Sequence, residues 1–217
     1  MELDIEQRFA NTARSKTFRN IVRTFELGNK AVLDLGCSYG EFLAHFGPRS
    51  VGVTIDTEEA VYGQAKGLDI VEGNVEAADF RVDKQFDVIF SNNLFEHLYS
   101  PHGFLHRIRE YLKPGGILIL GVPCIPKIAS LVHFQKFRGA LAEAHINFFT
   151  KDTLRKTVER AGYDVAEVRG FRFSSPFVDH LLDLVYPHLY VVAHLKPDFN
   201  YPEKRMKELA GYGKEAV

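Results

Sequence analysis

The 217-residue chain is short of cysteine, of any excess charge and of long apolar runs, and each shortage removes a class of protein. Two cysteines, Cys37 and Cys124, cannot build a disulfide framework, and a reducing compartment suits them. With 27 basic against 28 acidic residues the formal net charge is −1, which gives no general attraction to nucleic acid or to an anionic membrane surface. No apolar stretch nears the ~20 residues that span a bilayer. The opening Met1-Glu2-Leu3-Asp4 is acidic, unlike a signal peptide, so a cytoplasmic location is expected. No Gly-Lys-Ser/Thr phosphate loop follows the first strand-like run, and the chain carries no internal repeat or low-complexity segment. What remains, 46% hydrophobic and 25% charged, is the composition of a globular domain. One core at this length buries about 70% of the unfolded surface, so a single domain over residues 1–217 is expected.

From residue 31 onward, strand-like runs alternate with helix-like ones. The strands are Ala31–Leu35, Ser50–Ile55, Leu68–Val71, Phe86–Ser91 and Gly116–Gly121, with helices over 40–46, 57–66 and 101–112 and a short one over 74–80. This alternation predicts an α/β fold, a parallel sheet with helices on both faces. In the N-terminal segment 1–28, Ile5, Phe9, Phe18, Ile21, Val22 and Phe25 keep helical spacing, so one helix is expected over 4–26. Its stretch Asn11–Thr24 carries Arg14, Lys16, Arg19 and Arg23 and no acid. That is either a solvated face or a helix that closes over a ligand and offers an arginine to a carboxylate. Pro123 and Pro126 open an insertion over 123–149, a lid or a dimer contact, with Ile128, Leu131, Val132 and Gln135 on one helical face. A helix over Lys151–Ala161, strands over Tyr163–Val168 and Leu189–His194, and a polar tail over 197–217 complete the chain.

The run Val32-Leu33-Asp34-Leu35-Gly36-Cys37-Ser38-Tyr39-Gly40-Glu41-Phe42-Leu43 is a buried strand, a turn with two glycines and a helix start. Glycine lets backbone N–H groups approach a ligand closely there. Val51-Gly52-Val53-Thr54-Ile55-Asp56, Phe86-Asp87-Val88-Ile89-Phe90-Ser91 and Lys113-Pro114-Gly115-Gly116-Ile117-Leu118-Ile119-Leu120 follow in order. This ordered set resembles the class I S-adenosylmethionine-dependent methyltransferases, above all those that methylate quinones, sugars and natural products. The resemblance implies a Rossmann-like, doubly wound seven-stranded sheet, mostly parallel with an antiparallel last strand. It implies S-adenosylmethionine as cofactor and a small-molecule acceptor.

Carried over residue by residue, the resemblance puts Gly36 and Gly40 beside the methionine part of the cofactor, with N–H groups of Cys37 to Tyr39, Ser38 among them, pointing into the site. Asp34 steers the ammonium group. Position 54, where the family carries a ribose-binding acid, is Thr54, and Asp56 is the alternative. Asp56 followed by Glu59 also reads as a capping box for the next helix. Asn74, where the family carries an acid, can accept the adenine amino group through its carbonyl oxygen, beside Val75. Ser91 borders the methionine moiety through its backbone. His97 and His145 are the candidate general bases, each also readable as structural, and a base is needed only if the acceptor must lose a proton. Cys37 reads as packed rather than nucleophilic. His102 and His106 stand one helical turn apart, but no third ligand accompanies them at a defined spacing, so no metal is expected. Phe148, Phe149, Phe171, Phe173 and Phe177 form either an aromatic acceptor wall or core.

A dinucleotide fingerprint would need glycines at 36, 38 and 41, where Ser38 and Glu41 stand in two of the places. The surviving alternative is a non-catalytic scaffold on a methyltransferase fold with a degenerate cofactor site, since Thr54 and Asn74 both replace acids. The expected partners are a small-molecule acceptor, no nucleic acid and no membrane, with a homodimer compatible.

Overall fold

Val32–Leu35 forms β1, which pairs in parallel with β2 (Val51–Thr54) on one side and β4 (Phe86–Asn92) on the other. The computed structural model describes residues 2–126, 144–182 and 185–204. The remaining strands are β3 (Ile70–Glu72), β5 (Leu112–Pro123), β6 (Tyr163–Arg169) and β7 (His188–Leu195). The seven-stranded order is β3-β2-β1-β4-β5-β7-β6, with β7 antiparallel to both its neighbours. This is the expected doubly wound sheet with an antiparallel last strand. Strand order reverses between β1 and β4, where such sheets open a crevice beyond the strands' carboxyl ends.

Side-chain alternation along the strands separates two buried layers. Val32, Val88, Phe90, Ile117 and Ile119 pack with Phe18 and Ile21 of α2 (Lys16–Thr24). Leu33, Leu35, Ile89, Leu118 and Leu120 pack with Leu105 and Ile108 of α4 (Pro101–Ile108) and Leu154 and Val158 of α5 (Lys151–Arg160). Coverage of both faces explains why every residue of β1 and β2 is buried. No helix among the described residues is long and apolar enough to cross a membrane.

Several expected elements differ. The single N-terminal helix is two, α1 (Glu2–Arg14) and α2, because Ser15 leaves the helical region and caps α2, its hydroxyl accepting the Phe18 N–H at 3.3 Å. The helix over 40–46 is a 3-10 turn at Leu43–His45, since Gly47-Pro48 stops it before a helix can propagate. Residues 74–80 form turns, whereas α3 (Thr57–Ala65) is present as expected. The helix over 101–112 ends at Ile108, and β5 begins at Leu112, ahead of the expected start at Gly116, and runs through Pro114-Gly115-Gly116. A register shift opposite Phe86 and Val88 lets those residues bulge. A helix absent from the sequence reading, α6 (Pro176–Leu182), precedes β7. The insertion helix with Ile128, Leu131, Val132 and Gln135, and most of the tail, lie outside the described residues.

Candidate active site

The chain leaves β1 through backbone shapes that side chains resist: φ is +77° at Gly36, +49° at Ser38 and +89° at Gly40. The Gly36 and Cys37 N–H groups both donate to the Val53 carbonyl of β2 at 2.9 Å. This corrects the expectation for Cys37, whose N–H stitches the turn to the sheet instead of pointing into the site. Ser38 and Tyr39 carry the next N–H groups of the turn. The Cys37 thiol is buried, and burial, followed by the nearby carboxylates of Asp34, Glu59 and Glu41, pushes its pKa far up, which removes it as a nucleophile.

Above the turn lies a cleft of about 380 Å³, bounded by Gly36, Ser38, Glu41, Asn92 and Asn93 and roofed by α1 through Arg8, Asn11 and Thr12. The arginine at the cleft is therefore Arg8, outside the basic run singled out in the sequence. Lys16, Arg19 and Arg23 of that run line a separate cleft with Arg172 and Phe173. Arg8 donates through Nε to Glu41 at 3.0 Å and through Nη2 to the Ser38 hydroxyl at 3.0 Å.

Two buried carboxylates interact, Glu41 on the cleft wall and Asp34 outside its lining. Asp34 is 1% exposed and Glu41 5%. Asp34 Oδ2 and Glu41 Oε2 have no hydrogen-bond donor among the described residues. Burial, reinforced by Glu41, holds the Asp34 carboxyl well above its ordinary range. Orphaned buried acceptors of this kind fit a cationic donor such as an α-ammonium group.

A carboxylate from α3 reaches the end of β2. Thr54 Oγ1 donates to Glu59 Oε2 at 2.5 Å, and Ser38 Oγ donates to Glu59 Oε1 at 2.7 Å. Glu59, on the first turn of α3, thereby brings a carboxylate to the strand end where Thr54 has none. The capping box is half formed: Asp56 Oδ1 accepts the Glu58 and Glu59 N–H groups at 2.8 and 3.1 Å, while the Glu59 side chain turns to Ser38 and Thr54. Asp56 therefore acts as the cap. Asn74 Oδ1 accepts the Glu76 N–H at 2.9 Å, holding its own loop, and Val75 is buried in the core. Ser91 Oγ donates to the Leu35 carbonyl at 2.9 Å, locking β4 to β1.

Beyond Asn92 and Asn93 comes a second group. A 3-10 turn at Phe95–His97 carries Glu96, 1% exposed. His97 Nε2 and His145 Nε2 each stand 3.8 Å from Glu96 Oε1, and the two rings meet edge to face at 4.8 Å. Burial pushes the Glu96 carboxyl up, against the pull of its own backbone N–H and the two histidines. Both expected base candidates thus belong to one site, which Glu96 completes. His102 and His106 do not join it: His102 bonds the Tyr201 hydroxyl at 2.8 Å, and the His106 ring packs on that of Tyr201. No spacing rule links Glu96 to His145, so sequence reasoning passed over the trio. The five phenylalanines divide. Phe149 and Phe171 are core, and Phe148, Phe173 and Phe177 are exposed.

A family model of a methyltransferase domain matches residues 7–168. A ubiquinone biosynthesis O-methyltransferase from Roseobacter denitrificans is 26% identical over 157 residues, 66% of this chain and 63% of the relative. An (S)-coclaurine N-methyltransferase from Papaver somniferum is 32% identical over 111 residues, 46% of this chain and 31% of the relative. The chain thus spans less than two thirds of the length of these relatives. A TehB-like SAM-dependent methyltransferase from Corynebacterium glutamicum shares the fold, with a TM-score of 0.61 at 18% identity over 89% of this chain and 97% of that one. Motif order, sheet order and family match converge, and the chain belongs to the class I S-adenosylmethionine-dependent methyltransferase family.

Proposed function

We propose that the protein transfers a methyl group from S-adenosylmethionine to a small-molecule acceptor. The observation that carries this reading is the pair of orphaned buried acceptors, Asp34 Oδ2 and Glu41 Oε2, under the glycine turn at the strand-order reversal. S-adenosylmethionine supplies a methyl group already activated on a sulfonium, so the chain's task is alignment and exclusion of water. Asp34 and Glu41 hold the ammonium end, and Arg8 faces the carboxylate. Glu59, assisted by Thr54, takes the ribose hydroxyls. Gly36, Ser38, Gly40 and the backbone of Ser91 border the methionine portion, with Asn74 toward the adenine. His97 and His145 stand on the acceptor side, beyond the end of β4, where an acceptor proton or oxygen would be handled.

The scaffold alternative drew its support from the acids missing at 54 and 74. Glu59 answers the first, because a carboxylate already bonded to Thr54 and Ser38 restores charge at the strand end. Calorimetric titration with S-adenosylmethionine and S-adenosylhomocysteine tests the reading. Micromolar affinity for both is expected, and no heat at millimolar ligand would overturn it. Methyl transfer to phenols, amines and carboxylic acids then sorts the acceptor class, since the relatives named above act on oxygen and on nitrogen.

A further inference from the structure

Among the described residues, Glu96, His97 and His145 are the one group of carboxylate and imidazole side chains whose ligand atoms all lie within 4.8 Å of one another. We propose that this trio binds a first-row divalent transition cation, with Glu96 Oε1, His97 Nε2 and His145 Nε2 as its ligands. The proposal stands on the trio's own geometry and does not depend on the methyl-transfer reading.

Three observations carry it. First, Glu96 is 1% exposed, yet neither carboxylate oxygen has a hydrogen-bond partner among the described residues. A buried carboxylate keeps its charge in such surroundings only with a compensating cation. The two imidazole nitrogens at 3.8 Å are too distant to serve as hydrogen-bond donors.

Second, the His97 tautomer is fixed. Its Nδ1 lies 2.9 Å from the Ala144 carbonyl oxygen, which only accepts, so Nδ1 carries a proton, and the lone pair of the imidazole that binds a metal is then on Nε2, toward Glu96. A backbone carbonyl on the far nitrogen is the usual support of a metal-binding histidine. Two acceptors facing each other across 3.8 Å leave a place for a cation.

Third, the return loop is pinned so that His145 stays opposite. The Ile146 and Asn147 N–H groups both donate to the Glu96 carbonyl, at 3.1 and 3.0 Å, and Asn147 Nδ2 donates to the Leu98 carbonyl at 2.6 Å. The Phe95 and Phe149 rings stack at 5.1 Å behind them. Metal–ligand bonds of about 2.0–2.2 Å set cis ligand atoms roughly 3 to 3.5 Å apart, so a small contraction by side-chain torsion closes the site.

The donor set selects the ion. Two imidazoles and one carboxylate suit zinc, manganese, iron or cobalt, whereas magnesium and calcium favour all-oxygen shells. Three protein ligands leave coordination positions for water or for an oxygen of the acceptor. The open side is that of His97, whose side chain is 38% exposed against 11% for His145.

The full chain, stripped with a chelator and then titrated separately with Zn²⁺, Mn²⁺ and Mg²⁺ by calorimetry, tests this. One equivalent of Zn²⁺ or Mn²⁺ should bind, with Mg²⁺ roughly a hundredfold weaker. Co²⁺ should give visible ligand-field absorption. His145→Ala and Glu96→Gln should each lower Zn²⁺ affinity at least tenfold, a loss typical of a damaged metal shell, while His102→Ala leaves it unchanged. Because Glu96 lacks donors, Glu96→Gln should fold at least as well as the parent without metal, and thermal melts check this. Binding of S-adenosylmethionine to His145→Ala should match the parent, which separates a failure here from a failure of the methyl-donor reading. Absence of stoichiometric binding by any of these ions, or undiminished Zn²⁺ binding in His145→Ala, overturns the proposal.

Discussion

Two buried carboxylate sites flank the ends of β1 and β4, and they are built in opposite ways. In the first, Asp34, Glu41 and Glu59 come from one short stretch of chain, and Arg8, Ser38 and Thr54 already answer part of their charge. In the second, Glu96 waits for a loop that returns almost fifty residues later, and within the described residues only two imidazole nitrogens face it. A site whose acids come from β1, its glycine turn and the start of α3 is dictated mostly by local backbone shape. A site made by a returning loop is dictated by where that loop is pinned, here by the Glu96 carbonyl itself.

The sharpest way to break the comparison is to damage the first site through its backbone. A Cβ at Gly40 would stand 2.5 Å from Leu68 Cδ1 and 3.0 Å from Ile70 Cδ1, on a residue whose φ is +89°. Gly40→Val should lose about 3 kcal/mol, from strain at positive φ and overpacking. The matching fall in melting temperature is roughly 6–12 °C at this chain length. An unchanged melt would show that the turn does not need this conformation. Gly36 serves less well, since a side chain there would press on Leu94 at 3.1 Å as well as on the ligand's path.

The next pair separates binding from capping within the first site. Glu59→Ala should weaken S-adenosylmethionine at least tenfold, about 1.4 kcal/mol, because charged hydrogen bonds to ribose would be lost. Asp56→Ala should instead cost about 1 kcal/mol of stability through the lost cap, with affinity unchanged. Calorimetry and thermal melts on the two variants read both quantities. A loss of affinity in Asp56→Ala with normal binding by Glu59→Ala would return the ribose role to the strand's own end.

These contrasts also explain what was legible in the sequence. The parallel strands could be read because burial on both faces leaves plain apolar runs such as Val32–Leu35 and Val51–Thr54. The glycine turn was legible for the same local reason. The acid beside Thr54 was not, because Glu59 satisfies a capping pattern in sequence and abandons it in space. Ser15 hid a helix break inside an unbroken apolar period, since its cap depends on one hydroxyl and not on hydrophobic spacing. The Glu96 trio was out of reach, because His145 is placed by hydrogen bonds to a backbone carbonyl that no side-chain pattern announces.

The smallest expected effect tests which helix serves the cleft. Arg8 is about half exposed (43%), so its pairing with Glu41 adds at most about 1 kcal/mol to stability after solvent screening. Its value lies in placement, since it bonds both Glu41 and Ser38 on the cleft wall. Arg23, on α2, bonds Asn20 and Ser174 at the separate basic cleft. Arg8→Ala should therefore lower affinity for S-adenosylmethionine a few-fold, more at low salt than at high salt, with little change in the melt. Arg23→Ala should alter neither. If the two variants bound alike at every ionic strength, α1 would be a roof with no hold on the ligand, and the cofactor's carboxylate would find its partner elsewhere on the turn.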